Sequence, residues 1–348
     1  MPTFSPERLT DGVTKTFAAC GVPAEAALVV TEHLVEAELS GVASHGLIRV
    51  PQYVDALEEG HITVDAELSV KSSTAGTAVV DGHGGLGQVM ARGAMDLAVE
   101  KASECGIGAA TLVNCSHTGR LASYSLQAAE RGMVGMVMVN AGGCGQWVAP
   151  FGGIEGRLGT NPVSFAVPTG DDAPLFIDIA TSIAPEGKVR AWSTAGRELP
   201  EGWLRDSKGN PTTNPADLYE GGALQPFGGH KGYGLSLMVD LLAGGLSGAG
   251  VCSQIDAPKA GATDGVFLLA VNIEAFCPLP MFAQLAGQLI GHVKSSPPAP
   301  GFDEVLVAGE REAKTRKERL ANGIPIDDKT WETIRAPLDR FGIEVETL

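Results

Sequence analysis

The chain has 348 residues, 44% of them hydrophobic and 19% charged, which fits a globular protein with room for two domains and excludes a disordered or fibrous one. Lys and Arg number 25 against 41 Asp and Glu, a formal charge of −16, and an acidic surface of that size repels phosphate backbones and anionic membranes. Nucleic acid and membrane are therefore not expected as partners, and an anionic substrate would need a local cluster of positive groups.

The opening MPTFSPERLTDG has no basic stretch ahead of an apolar core, so no secretory leader is expected, and apolar runs such as Met133–Asn140 are too short to span a bilayer. Six cysteines without a CxxC pair fit reduced thiols in a cytoplasmic protein better than a disulfide framework or a zinc site. Ser5 is placed to cap a helix opened by Pro6, with Leu9, Val13, Phe17 and Cys20 at helical spacing before Gly21. Pro23 opens a second helix with Leu28, His33 or Leu34, and Val35 inward, and Gly46–Glu59 reads as a third. A strand at Thr77–Val80, a helix at Leu86–Cys105 and a strand at Ile107–Asn114 follow, then a helix near Leu121–Arg131 and a strand at Val134–Val139. Shorter strands are expected at Val163–Val167 and Leu175–Ile179. Residues 193–228 are rich in Gly, Pro, Thr and Asn and read as a long irregular excursion of the kind that is usually functional. Leu235–Leu246 reads as a helix, Gly265–Ile273 as a buried strand, Phe282–Val293 as a helix, Ser295–Gly301 as a linker, and Lys314–Leu320 as helical.

Gly82-His83-Gly84-Gly85-Leu86-Gly87 matches the dinucleotide fingerprint GxGxxG. The following strand, however, ends in Asn114, Cys115 and Ser116 where a ribose-binding acid belongs, and Asp81 would meet a pyrophosphate with like charge. A structural strand-to-helix turn is the favoured reading. Ser44, His45, Arg49 and Tyr53 carry more. On one helix, His45, Arg49 and Tyr53 would share a face, and an imidazole beside a guanidinium suits proton exchange next to a carboxylate. A solvated polar edge is the bland alternative, and Pro51 is positioned to kink the face. His117 lies after a strand and before a helix, where loops carry ligands, although a hydrogen-bonded structural histidine is the favoured reading of the residues alone. Lys231 enters a helix from a glycine-dense loop suited to phosphate, with a plain hinge as the alternative. Asp178 ends an apolar strand, placed to orient an imidazole or a ribose hydroxyl, or to cap a helix. No HExxH or other metal-ligand spacing is present, so no metal is expected.

The stretches SHGLIRVPQY (44–53), VDGHGGLGQ (80–88), CSHTGRLASY (115–124), VAPFGG (148–153), GTNP (159–162), IDIATS (177–182), GNPTTNP (209–215), GGHKGYGLSLMVDLLAGGLSGA (228–249) and AGERE (308–312) together resemble the malate/L-lactate dehydrogenase family. They span nearly the whole chain, and the wording of HTGRLASY and VAPFGG is most similar to the hydroxycarboxylate dehydrogenase branch. The resemblance implies an α/β fold that is not a Rossmann fold. It implies a helical domain of residues 1–72 completed by 300–348, and a catalytic domain of 73–299 around a large mixed, mainly antiparallel sheet. It also implies a homodimer whose active sites are completed across the interface, NAD or NADP as cofactor, and a small 2-hydroxy acid interconverted with its 2-oxo acid. A cyclic imine carboxylate is the alternative substrate. His45 is implied as acid/base, with Asp178 in support and His117 as a further catalytic and substrate-contacting group; relatives differ over which histidine exchanges the proton. Substrate contacts are implied for Ser44, Arg49, Tyr53 and Thr160, with Arg49 anchoring the carboxylate. Cofactor contacts are implied for Arg120, Leu121, Asp178, Ile179, Ala180, Thr181, Ser182, Lys231, Gly309, Glu310 and Arg311. Three positions depart from the usual pattern: Ala122 where many relatives have glycine, Ala308 where proline usually stands, and Ala141 where some carry a cofactor-binding serine.

Overall fold

The computed structural model describes residues 2–140, 145–170, 173–194, 196–254 and 264–348; Ala141 lies outside them. A two-residue strand β1 (Thr3–Phe4) leads into α1 (Pro6–Ala19), capped by Ser5, whose Oγ accepts the Arg8 N–H at 3.2 Å. Leu9, Val13 and Phe17 of α1 are fully buried against α2 (Ala24–Leu39). The third helix is not the single run expected over 46–59. Two 3-10 turns, Ala43–His45 and Leu47–Arg49, are separated by Gly46, and only then does α3 (Val50–Glu58) begin, with Pro51 in its tolerant first turn. Gly46 is the cause: it holds φ −94°, ψ −147°, and a Cβ there would meet Glu38 Oε1 at 2.4 Å, the same oxygen that accepts the Leu47 N–H at 3.0 Å. His45 and Arg49 therefore do not share a helical face.

The chain then enters the sheet through β2 (Ser69–Ser73), β3 (Thr77–Gly85), α4 (Gly87–Cys105) and β4 (Ile107–Cys115). It continues through α5 (Ala122–Ala129), β5 (Met133–Asn140), β6 (Val163–Val167) and β7 (Leu175–Ile179). Next come α6 (Glu186–Thr194), β8 (Leu204–Arg205), β9 (Pro211–Thr212), β10 (Ala223–Leu224) and α7 (His230–Val239), which runs on as a π-helix over Asp240–Gly245. The chain closes with β11 (Asp264–Asn272), α8 (Leu279–Lys294), α9 (Glu310–Asn322), β12 (Ile324–Pro325) and α10 (Asp328–Arg340).

The main sheet has seven strands in the order β2-β3-β4-β11-β5-β6-β7. Only β3 and β4 run parallel; every other neighbour pair is antiparallel, the mixed sheet that the family resemblance implies. Small side chains on α4 (Ala91, Ala94, Ala98, Ala102) bring it down onto Val80, Leu112 and Leu268 of the sheet. The glycine fingerprint is structural. Residues 82–85 finish β3, and Gly87 opens α4 so close to the next loop that a Cβ would lie 2.2 Å from Ser116 O. The Gly87 N–H goes to Ser116 Oγ at 3.0 Å, tying the loop that carries His117 to the α4 N-terminus.

Residues 193–228 are largely without helix or strand, as expected, but they carry three two-residue strands. β10, β8 and β9 form a small antiparallel sheet over a core of Val148, Leu158, Val189, Leu204, Leu218 and Leu224. Two-residue strands are too short to show alternation in sequence. The two chain ends share another core: Phe4, Leu9, Phe17, Leu34 and Tyr53 pack with Ile324, Ile334 and Leu338, and the Phe4 and Trp331 rings sit 4.1 Å apart.

Candidate active site

His45 ends the first 3-10 turn and His117 lies in the loop between β4 and α5. Their rings stack with centroids 5.8 Å apart at 24°. Each is held through Nδ1: His45 by Ser44 Oγ at 2.9 Å, His117 by the Tyr53 hydroxyl at 2.7 Å. Among the described residues no protein group bonds Nε2 of either ring, so both Nε2 atoms are available to a ligand. Arg49 reaches the same place through the turn rather than along a helix. Its Nε donates to Ser44 O and its Nη1 to Gln52 Oε1, each at 2.8 Å. Gly187, near the start of α6, brings its backbone so close that a Cβ would stand 3.4 Å from Arg49 Nη2. Tyr53, expected to touch substrate, is only 2% exposed and sits behind His117.

Burial, then the charges of Arg49 and Arg120, lowers His45 to about 4. His117 is held well below the usual histidine range by burial first, then by Arg49, His45 and His33. His33, on α2 and 7% exposed, is lowered to about 3 by burial, Arg120 and His45, and its Nε2 accepts the Arg120 N–H at 2.8 Å. These rings hold fewer protons folded than unfolded. Their contribution is therefore complete above an unfolded value of about 6.5 and is lost as pH falls toward 4 and 3. The thermal midpoint is expected to drop between pH 7 and pH 4.5, and to drop less in His33→Gln. An unchanged midpoint across that range in the unaltered chain would contradict the depressed values.

The residues expected at the cofactor converge on β7 and the segment after it. Arg120 is 3% exposed, with its guanidinium carbon 5.3 Å from the Phe176 ring centroid. Asp178 Oδ2 accepts the Ala122 N–H at 2.8 Å and caps α5, one of its three expected roles. Burial pushes its carboxyl up, while the α5 amides and Arg120 pull it back down. The carboxylate makes no hydrogen bond to His45. Leu121, just before α5, is buried. Thr160 O accepts both the N–H and the hydroxyl of Thr181, at 2.9 and 3.0 Å. The loop leading to Lys231 is stitched to the same segment: Phe227 N–H donates to Thr181 O at 3.1 Å, and Ser182 bridges Pro226. Ile179 and Lys231 are exposed, and Ala180 is half-buried. Gly309, at φ +83°, lies against β7, where a Cβ would meet the Phe176 ring at 2.6 Å. Glu310 is pinned by Lys294 and accepts the Val307 N–H at 3.1 Å; Arg311 points outward.

A groove of 1550 Å³ opens beside this set, lined by Arg120, Ser123, Phe176, Gly309 and Arg316 but not by His45 or His117. The Ser123 hydroxyl is buried there without a partner. An orphaned donor, a buried guanidinium over an aromatic ring and a close-packed glycine fit a nucleotide cofactor. Gln88, Ser123 and Phe176 carry no motif of their own, and His33 shows only as an inward position of α2. Gln88 directly follows the last fingerprint glycine, and His33 falls on the inward face of α2; those were the signals on offer.

A mixed-sheet α/β protein with two stacked histidines beside an arginine has the groups to exchange a proton next to a bound carboxylate. Comparison with known proteins agrees: the malate/L-lactate dehydrogenase family model matches residues 4–335, and the chain belongs to that family of oxidoreductases, whose chemistry implies a nicotinamide cofactor. It is 40% identical to the malate dehydrogenase of Pyrococcus horikoshii over 97% of this chain and 95% of that one. It is 36% identical to the L-sulfolactate dehydrogenase of Methanocaldococcus jannaschii over 98% and 96% of the two chains. The crystal structure of malate dehydrogenase from Entamoeba histolytica superimposes with a TM-score of 0.94 at 29% identity, covering 98% of each chain.

Proposed function

We propose that this protein interconverts a small 2-hydroxy acid and its 2-oxo acid, using NAD or NADP. The observation that carries the reading is the pair of stacked imidazoles with unbonded Nε2 atoms beside Arg49. When bound, the cofactor supplies or accepts the hydride. Arg120, Leu121, the Asp178–Ser182 segment, Lys231 and Gly309–Arg311 would hold it. Arg49 presents the N–H groups it does not spend on Ser44 and Gln52 to the substrate carboxylate, the planar match that favours Arg over Lys. His45 exchanges the alcohol proton, with Ser44 orienting its ring. His117 meets the substrate oxygen, Tyr53 acts on substrate through His117, and Thr160 holds Thr181 beside the site. Residues 1–72 with 300–348 form the helical domain, and 73–299 form the cofactor and catalytic domain, to which Gly309–Arg311 of the helical domain add contacts.

A panel of 2-oxo acids and cyclic imine carboxylates, each with NADH and NADPH, tests the reading through loss of reduced-nicotinamide absorbance. Turnover of a 2-oxo acid is expected. Turnover confined to cyclic imines would reassign the substrate, and none with any member would overturn the proposal.

We also assign a homodimer and a cytoplasmic location, the latter on the free thiols. Helix α8 has no buried residue, and its Met281, Leu285 and Leu289 are each more than half exposed at i, i+4 and i+8 spacing. An apolar stripe of that kind calls for a cover, and a second copy supplies one. Light scattering should give twice the chain mass, falling to one chain in Leu285→Asp with Leu289→Asp. A monomeric unaltered chain would refute the assignment.

A further inference from the structure

We propose that His33 is a ligand-binding residue of the groove beside β7, its Nδ1–H donating to a phosphoryl oxygen of the bound cofactor next to the Arg120 guanidinium. The proposal rests on a nucleotide occupying that groove, and not on the identity of the hydroxy acid.

The tautomer of His33 follows from one bond. Its Nε2 lies 2.8 Å from the Arg120 backbone nitrogen, and a backbone N–H only donates, so Nε2 accepts. Burial, with Arg120 and His45, lowers the ring to about 3 and keeps it uncharged. A neutral imidazole that accepts at Nε2 carries its hydrogen on Nδ1. Among the described residues that hydrogen has no acceptor. Packing decides where it points. Gly119, at φ +74°, lies so close to the ring that a Cβ would stand 2.3 Å from Nε2 and 3.0 Å from Cδ2. The Nε2–Cδ2 edge is thus pressed on the loop, and the Nδ1 edge is left to the groove that His33 lines.

Two further donors line the same groove. The Arg120 side chain is 3% exposed, yet among the described residues none of its guanidinium N–H groups has a hydrogen-bond or ion-pair partner. Asp178, Glu36 and Glu312 feel its charge, but each is spent elsewhere: on the Ala122 N–H, on Arg316 and on Arg311. The buried Ser123 hydroxyl is the other. Buried polar groups are rarely left unbonded, and donors without a protein acceptor call for an anion with several oxygens. A phosphoryl group has that chemistry and matches the planar fork of a guanidinium. His33 also fixes the end of the His117 loop. The other ties of that loop are the Gly87 N–H on Ser116 Oγ, and Tyr53, which meets His117 Nδ1 at 2.7 Å and accepts from Gln88 Nε2 at 2.8 Å. Holding the loop uses Nε2 of His33 alone; the unspent Nδ1–H is what a ligand takes up.

ADP, which carries phosphates without the nicotinamide, tests this on the full chain by calorimetry and by solution NMR with 15N-histidine labelling at neutral pH. The His33 signals are identified by their loss in His33→Gln. A pyrrole-type Nδ1 with a pyridine-type Nε2 is expected, and the Nδ1 signal should move as ADP saturates the chain. His33→Leu should weaken ADP about 10- to 100-fold, the worth of a hydrogen bond to a charged group. His33→Gln, with a carbonyl for Arg120 and an amide hydrogen for the ligand, should recover most of that loss. If His33→Leu does not fold, the NMR of the unaltered chain decides. A pyridine-type Nδ1, an Nδ1 signal unmoved at saturation, or undiminished ADP binding in His33→Leu overturns the proposal alone. Failure of both ADP and NADH to bind the unaltered chain would instead remove the nucleotide from the groove, and this proposal with it.

Discussion

His45→Ala is expected to reduce a 2-oxo acid about 10²–10⁴ times more slowly than the unaltered chain, the usual worth of a positioned acid or base. The loss should fall on kcat, because the carboxylate grip belongs to Arg49 and the oxygen contact to His117, and neither is held in place by the His45 side chain. The fold should survive, since among the described residues the ring bonds to Ser44 alone and its burial works against its own protonation. At neutral pH a ring lowered to about 4 is uncharged, the form that receives a proton from a hydroxy acid. In the reverse direction it must be protonated, and a substrate carboxylate that offsets Arg49 raises its proton affinity. Turnover in His45→Ala close to the starting rate would take His45 out of the mechanism.

Arg49→Ala should cut kcat/KM for the same 2-oxo acid by roughly 30- to 1000-fold, mostly through KM. That is the range expected when one partner of a desolvated, hydrogen-bonded charge pair is deleted, about 2–4 kcal/mol. A second effect distinguishes this from general damage. Arg49 is the foremost charge lowering His45, so its removal should move the histidine limb of the pH–rate profile upward. Arg49→Lys should keep much of that electrostatic effect yet recover little affinity, because an ammonium lacks the planar fork. An unchanged KM in Arg49→Ala would mean the anchor lies elsewhere.

Where an element is long or strongly patterned, its residues announced it. β6 and β7 fall on the expected bounds, and α4, β4 and β5 within a residue or so. At Gly46 the helix breaks where the pattern continues, because contact with Glu38, nine residues earlier in sequence than Leu47, decides against it. Apolar periodicity cannot register such a contact. It also passed over α10, whose buried side is only Ile334, Pro337 and Leu338 in an otherwise polar run, and β2, whose residues are mostly exposed. At the site, His45, Arg49 and His117 stood out as chemistry-bearing side chains in unusual company. Gln88 and His33 did not, because their importance lies in which atom donates to which. Asp178 was visible, but its bond to Ala122, 56 residues earlier, comes from tertiary packing that the residue pattern does not encode.

The shared core of the two chain ends has a consequence for synthesis. Residues 324–338 supply Ile324, Ile334 and Leu338 to the packing around Leu9, Phe17 and Leu34, and the Leu348 N–H returns to Thr3 O at 2.8 Å. The half that bears His45 and Arg49 is thus translated early but finished late. A nascent polypeptide halted before residue 324 would hold these two side chains on a surface with its greasy side still bare, a natural substrate for chaperones and proteases rather than a working catalyst.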